Sequence, residues 1–117
     1  MTDRDPDCLF CRIAAGEIPS DVVHADDDVI AFRDIAPRAP THVLVIPRRH
    51  IADAHALGAG DGDLLAKLFT VIRQVADAAG LENGYRVVTN VGPESGQTVF
   101  HLHFHVLGGR TMGWPPG

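Results

Sequence analysis

A chain of 117 residues, 45% hydrophobic and 21% charged, is long enough to bury one core and too apolar to stay disordered. Ten Lys and Arg against fifteen Asp and Glu leave a net charge of −5, which argues against a general nucleic-acid coat. No apolar run approaches the roughly 20 residues of a membrane span, and Met1 to Asp7 is acidic and polar rather than signal-like. The length predicts a single domain over residues 1–117, with an ordered core from about 8 to 117 and a flexible start over 1–7.

Residues 8–17 suit a short helix ended by Gly16 and stopped by Pro19. Residues 21–25 and 29–32 read as two strands of a hairpin around Asp26-Asp27-Asp28. Two prolines make Asp34 to Pro40 a loop, and the β-branched run His42 to Ile46 suits a central strand closed by Pro47. Residues 50–60 are irregular. A long helix is predicted over 61–79, because Leu64, Leu65, Leu68, Val71, Ile72, Val75 and Ala79 recur at three- and four-residue steps. Asp61 or Asp63 can cap it, and Gly80 ends it. Strands over 85–91 and 99–107 follow, separated by the turn Gly92 to Gly96. The expectation is an α+β domain: a five-stranded, mostly antiparallel sheet with one long and one short helix on one of its faces.

Cys8 and Cys11 are the chain's two cysteines. Their spacing suits a metal clip or a redox pair, and a disulfide closing so short a loop would add little. No strand precedes them, as a thioredoxin-like pair requires. Half a zinc site is the better reading provided partners lie elsewhere, with two plain structural thiols as the alternative.

His101-Leu-His-Phe-His-Val106 carries the chemistry. Alternation in a strand sets His101, His103 and His105 on one solvent-accessible face, and Phe100, Leu102, Phe104 and Val106 on the other, against the long helix. Three aligned imidazoles suit either a metal site or nucleophilic and acid–base catalysis at phosphorus. The loop Ser95 to Thr98 favours catalysis. Gly96 permits close backbone approach, and backbone N–H groups with the Gln97 and Thr98 side chains can form an anion nest.

The pattern His101 to Leu107, Gly96-Gln-Thr-Val-Phe100, Gly108-Gly-Arg110, Trp114-Pro-Pro-Gly117, Ala39 to Pro47, Phe32 to Ile35 and Gly84 to Val88 resembles the histidine triad superfamily. Within it, the chain is similar to the histidine triad nucleotide-binding branch over about residues 8–117. The resemblance implies a cytoplasmic homodimer with a continuous ten-stranded sheet. It implies binding of a purine mononucleotide or nucleoside phosphoramidate, and hydrolysis of purine nucleoside 5′-phosphoramidates through a nucleotidyl-histidine. His103 is then the nucleophile, His105 contacts phosphate and leaving group, and His101 and His42 support the proton network. Asn90, Gly96, Gln97, Thr98 and the Val99 backbone hold phosphate, Asp34 accepts from the ribose, and Phe32 and Ile35 line the base pocket. Trp114 reaches the partner's site. Many bacterial members bind one structural zinc, which places its ligands here at Cys8, Cys11, His50 and His101; no organic cofactor is implied. Relatives of the nucleotide-binding branch usually carry His before the terminal Trp, where this chain has Gly113. Two other functions fit the same residues: a dinucleoside polyphosphate hydrolase, or a nucleotide-binding scaffold with little catalysis.

Overall fold

Gly16, at φ +75°, and the following Pro19 confine the first helix, α1, to Leu9–Ala14. The structure, a computed structural model, describes residues 4–117, so the flexibility expected of residues 1–3 lies outside the described residues. Just before α1, Arg4 pairs with Glu17, and the Asp5 N–H reaches Cys11 Sγ at 3.4 Å.

The β-branched runs form β1 (Val22–Ala25), β2 (Val29–Arg33) and β3 (Thr41–Pro47), which pair antiparallel in sequence. The long amphipathic helix, α2 (Gly62–Ala78), then crosses to β4 (Tyr85–Val88), and β5 (Phe104–Gly108) inserts between β3 and β4. The sheet order is β1-β2-β3-β5-β4, with every pairing antiparallel.

Strand alternation splits the core into two layers. Val29, Ala31, Val43, Val45, Leu102, Phe104 and Val106 pack against Leu68, Val71, Ile72 and Val75 of α2. Ile30, Phe32, Leu44 and Ile46 point the other way, onto Phe10 and Ile13 of α1. The two helices therefore cover opposite faces, not the single face expected. Six residues of α1 offer just enough apolar surface to close the second face, and each fully buried side chain of this size contributes about 1.5–3 kcal/mol.

Two strand boundaries and one helix cap differ from the sequence-based reading. β4 ends at Val88 rather than 91, and β5 begins at Phe104 rather than 99. The cause is a long-range bond: the Leu102 N–H donates to the Ile51 carbonyl at 2.6 Å, pulling residues 99–103 off the sheet. Phe100 is consequently half exposed rather than in the apolar stripe. Asp61 occupies the N-cap of α2 but makes no capping bond; its carboxylate accepts from the Gly58 N–H at 2.8 Å and pairs with Arg49.

Gly108 and Gly109 end β5 without side chains for a steric reason. A Cβ at Gly108 would lie 2.6 Å from Leu81, and one at Gly109, whose φ is +87°, would lie 2.9 Å from Pro40.

Candidate functional site: two histidine clusters and a third imidazole between them

The face covered by α1 also carries the histidines, but it is not the open face predicted. His101 is fully buried, His103 nearly so, and only His105 is partly exposed. Phe10 closes the layer, its ring edge-on to His103 at 5.1 Å and to Phe32 at 5.5 Å.

The first cluster brings together Cys8, Cys11, His50 and His101, whose donor atoms all lie within 4.8 Å of one another. The N-cap of α1 is Cys8 itself, so three residues of helix set Cys11 beside it. His101 Nε2–H donates to the Pro47 carbonyl at 2.7 Å. In a neutral imidazole the proton on one nitrogen leaves a lone pair on the other. That lone pair, on Nδ1, faces Cys8 Sγ and Cys11 Sγ at 3.4 Å each. His50 Nδ1 lies 3.3 Å from Cys11 Sγ. Zinc bonds of about 2.3 Å to sulfur and 2.0 Å to nitrogen imply tetrahedral S···N edges of about 3.5 Å. The donor set, its spacing and the carbonyl behind His101 fit a closed four-coordinate zinc site. Burial pushes the Cys11 thiol up, partly offset by the Asp5 N–H on its sulfur. Burial also lowers His101 to about 4, against the pull of the Pro47 carbonyl.

The second cluster, Asp34, His42 and His105, has its donor atoms equally close. Its hydrogen bonds give it the opposite character. The backbone N–H of Arg38 donates to His42 Nδ1 at 3.0 Å, so the proton of neutral His42 sits on Nε2. That Nε2–H points at His105 Nδ1, 2.9 Å away. Neutral His105 in turn carries its proton on Nε2. A metal would need lone pairs where this cluster places protons, so the arrangement suits proton transfer. β3 and β5 create it: Leu44 pairs with His105, which makes His42 the diagonal neighbour on the same face. Asp34 Oδ2 lies 3.5 Å from His42 Nε2, while Oδ1 accepts the Ala36 N–H. His42 is lowered by burial, opposed by the Asp34 charge. His105 is lowered to about 4 by burial and then by His103 and His42, again opposed by Asp34.

His103 lies between the clusters. Its Nδ1–H donates to the carbonyl of His101 at 2.6 Å, leaving the lone pair on Nε2 with no protein partner among the described residues. The Thr89 hydroxyl donates to the His103 carbonyl at 2.8 Å, which fixes the segment where the sheet has let it go.

The remaining predicted residues divide. Gly96, at φ +94°, Thr98 and Ser95 are exposed at the loop tip, with Asn90 Nδ2 donating to the Ser95 carbonyl at 2.6 Å. The Gln97 side chain is buried and committed to the loop: Oε1 accepts from Gly92 N–H, and Nε2 donates to the Ala52 and Val99 carbonyls. These bonds fix the shape of the loop. Val99 and Phe32 pack in the layer under α1. Ile35 and Trp114 are exposed and unsupported by other side chains of the core. A cleft of about 580 Å³ opens beside Asp34 and His42, bounded by Thr41, Gln74 and Ala78; neither His103 nor His105 lines it. Sequence reasoning missed Arg38, Thr89, Pro47 and Ile51. Three of them act through backbone groups that carry no residue signature, and only the Thr89 hydroxyl could have drawn notice.

The sequence profile of the HIT domain matches residues 15–112. The chain belongs to the HIT domain family. A HIT-like protein of Synechococcus elongatus described as uncharacterized is 50% identical over 95% of this chain and 97% of its own length. The 14 kDa zinc-binding protein of Zea mays is 48% identical over 97% of this chain and 90% of its own. The crystal structure of a HIT family hydrolase from Legionella pneumophila superposes with a TM-score of 0.93 at 53% identity, covering 95% of this chain and all of that one. A hypothetical histidine triad nucleotide-binding protein of Sulfolobus tokodaii reaches 0.75 at 33% identity, covering 86% and 68%. The HIT profile begins after Cys8 and Cys11, so half of the first cluster lies outside it. Among the described residues no helix is long and apolar enough to cross a membrane.

Proposed function

We propose that this HIT protein is a nucleotide-binding hydrolase that cleaves purine nucleoside 5′-phosphoramidates to nucleoside monophosphate and amine. The observation that carries this reading is the unpartnered Nε2 lone pair of His103, fixed by the Nδ1–H bond to the His101 carbonyl. An imidazole nitrogen so held is a ready nucleophile for phosphorus. The names of the Legionella and Sulfolobus relatives support hydrolysis and nucleotide binding.

In the first half-reaction His103 Nε2 attacks the α-phosphorus, and the P–N bond breaks with its electron pair on nitrogen. His105, entering the step as imidazolium, gives the departing nitrogen the proton on Nε2, which faces away from His42, and becomes neutral. In the second, water attacks the nucleotidyl-histidine, loses a proton to His105, and His103 leaves with its lone pair restored. One water is added overall. Charge gathers on the phosphoryl oxygens in both steps, where donors from the Gly96–Val99 loop stabilise it. Asp34 accepts from the ribose hydroxyls, and Phe32 and Ile35 border the base. Cys8, Cys11, His50 and His101 would hold zinc in a structural role, tying α1 to the segment that carries His103.

The protein works as a homodimer joined at β4, where Trp114 reaches the partner's site. Tyr85 on that open edge strand, and Phe69 on α2, are each more than 40% exposed, which supports a covered surface. Cys8 and Cys11, set as metal ligands rather than joined in a disulfide, support a reducing, cytoplasmic setting.

The test incubates adenosine 5′-phosphoramidate, or diadenosine polyphosphate in a parallel arm, with protein and quenches by denaturation at alkaline pH, where P–N bonds survive. The expected result is AMP and ammonia from the first substrate, with a nucleotidylated protein that His103→Ala cannot form. Full hydrolysis by His103→Ala, or preference for the polyphosphate, overturns the reading.

A further inference from the structure

We propose that Asp34 is a positioning residue for the leaving-group proton, supplying the acceptor that lets the His42–His105 pair hold a second proton. The inference rests on the phosphoramidate reading and assigns Asp34 a role beyond the ribose.

A departing amine must gain a proton, and a neutral His105 can give one away only by becoming an anion. His42 cannot replenish it. Its single proton is on Nε2, and its Nδ1 is held as an acceptor by the Arg38 N–H at 3.0 Å. The pair must therefore enter the reaction carrying one extra proton, with His105 as imidazolium. That state has a steric and electrostatic problem. His105 Nδ1–H would then meet His42 Nε2–H head-on across 2.9 Å, donor against donor. One of the two must turn to another acceptor. Asp34 Oδ2 is 3.5 Å from His42 Nε2, and a carboxylate oxygen of Asp34 lies within 4.8 Å of a ring nitrogen of His105. It is the one carboxylate in this cluster, and its side chain is largely buried, so its charge is poorly screened. The groups facing the pair are Asp34, Arg38 and His103, and Asp34 alone favours added positive charge. Before the step the cluster holds Asp34 carboxylate, neutral His42 and cationic His105. After it, His105 is neutral and the amine has the proton. The extra proton is taken up from solvent when the anionic substrate binds, and the attacking water restores it to His105 in the second half-reaction.

Substrates can separate this role from ribose binding. Wild type and Asp34→Asn would be compared on two 2′,3′-dideoxyadenosine 5′ substrates, one an alkyl phosphoramidate and the other a p-nitrophenyl phosphodiester. Neither substrate has ribose hydroxyls, and p-nitrophenolate leaves without a proton. Asn keeps the oxygen that accepts the Ala36 N–H, and circular dichroism with metal content checks that the fold survives. The expected result, read in the single-turnover rate of nucleotidylation, is a loss of about 30-fold or more on the phosphoramidate, with substrate affinity within about twofold, and less than about threefold loss on the ester. Equal losses of that rate on both substrates, or none on the phosphoramidate, would overturn the proposal. Failure of the underlying reading looks different: wild type itself would not turn over the phosphoramidate.

Discussion

Two groups of side chains in this small domain look alike in composition and distance, yet their chemistry is opposite. Cys8, Cys11, His50 and His101 form one; Asp34, His42 and His105 form the other. What separates them is a pair of backbone groups. The Pro47 carbonyl takes the proton-bearing nitrogen of His101 and turns its lone pair toward two sulfurs. The Arg38 N–H takes the lone pair of His42 and turns its proton toward His105. A histidine becomes ligand or proton carrier according to what the far side of its ring touches. His103 follows the same rule, its Nδ1–H held by a carbonyl and its Nε2 left free.

The largest expected effect lies at that free nitrogen. His103→Ala should lower kcat/KM for adenosine 5′-phosphoramidate by about 10⁴-fold while AMP binding, followed by calorimetry, changes little. A loss of less than tenfold would remove the distinction between His103 and its neighbours.

On the sulfur side, Cys11→Ala should release the zinc and cost about 3 kcal/mol or more of stability. Metal analysis and thermal melting report both, and kcat should stay within about tenfold of wild type. Metal retained at full occupancy would merge the two clusters into one kind.

On the proton-carrying side, the prediction concerns pH. His105 is held near 4 in the fold, against an ordinary value of 6.5 when unfolded. Between those limits the unfolded chain binds more protons. Stability should therefore fall as pH drops from about 6.5 toward 4, by at most roughly 3 kcal/mol, and be unaffected by His105 above that window. Urea midpoints of wild type and His105→Asn across the range measure it; parallel pH profiles would show that His105 adds nothing.

The smallest effect is expected at Thr89. Thr89→Val removes one bond to the His103 carbonyl, worth about 1 kcal/mol, and should slow turnover about fivefold. Thr89→Ser should restore the rate. An unchanged rate in the valine variant would mean that the His101 carbonyl alone aims the nucleophile.

How much of this could be read from the chain depends on the range of the forces. Helix α2 and strands β2 and β3 follow from local periodicity, and they appear where Leu68 to Val75 and Val43 to Ile46 require them. The alternation of His101, His103 and His105 correctly grouped them on one side of the chain, opposite Leu102, Phe104 and Val106. It could not show that strand geometry stops before His103, because that is decided by a bond from Leu102 to Ile51, in an irregular segment far away in sequence. Nor could it place α1 over the histidines, since six residues fit either face equally well by pattern. The proton positions were least legible of all: they depend on Arg38 and Pro47 through atoms common to every residue.

The bare end of β5 bears on how this domain can change. A methyl at 108 would strike Leu81, and one at 109 would strike Pro40 in the segment between Asp34 and His42. A side chain at 108 would require Leu81 to turn aside, and one at 109 would meet the rigid Pro40 ring from a strained backbone, so 109 is the more tightly held of the two. A variant library that holds 108 and 109 as glycine and Arg110 on the Arg38 carbonyl, and randomises 111–114, would explore leaving groups while keeping the backbone contact that aims His42.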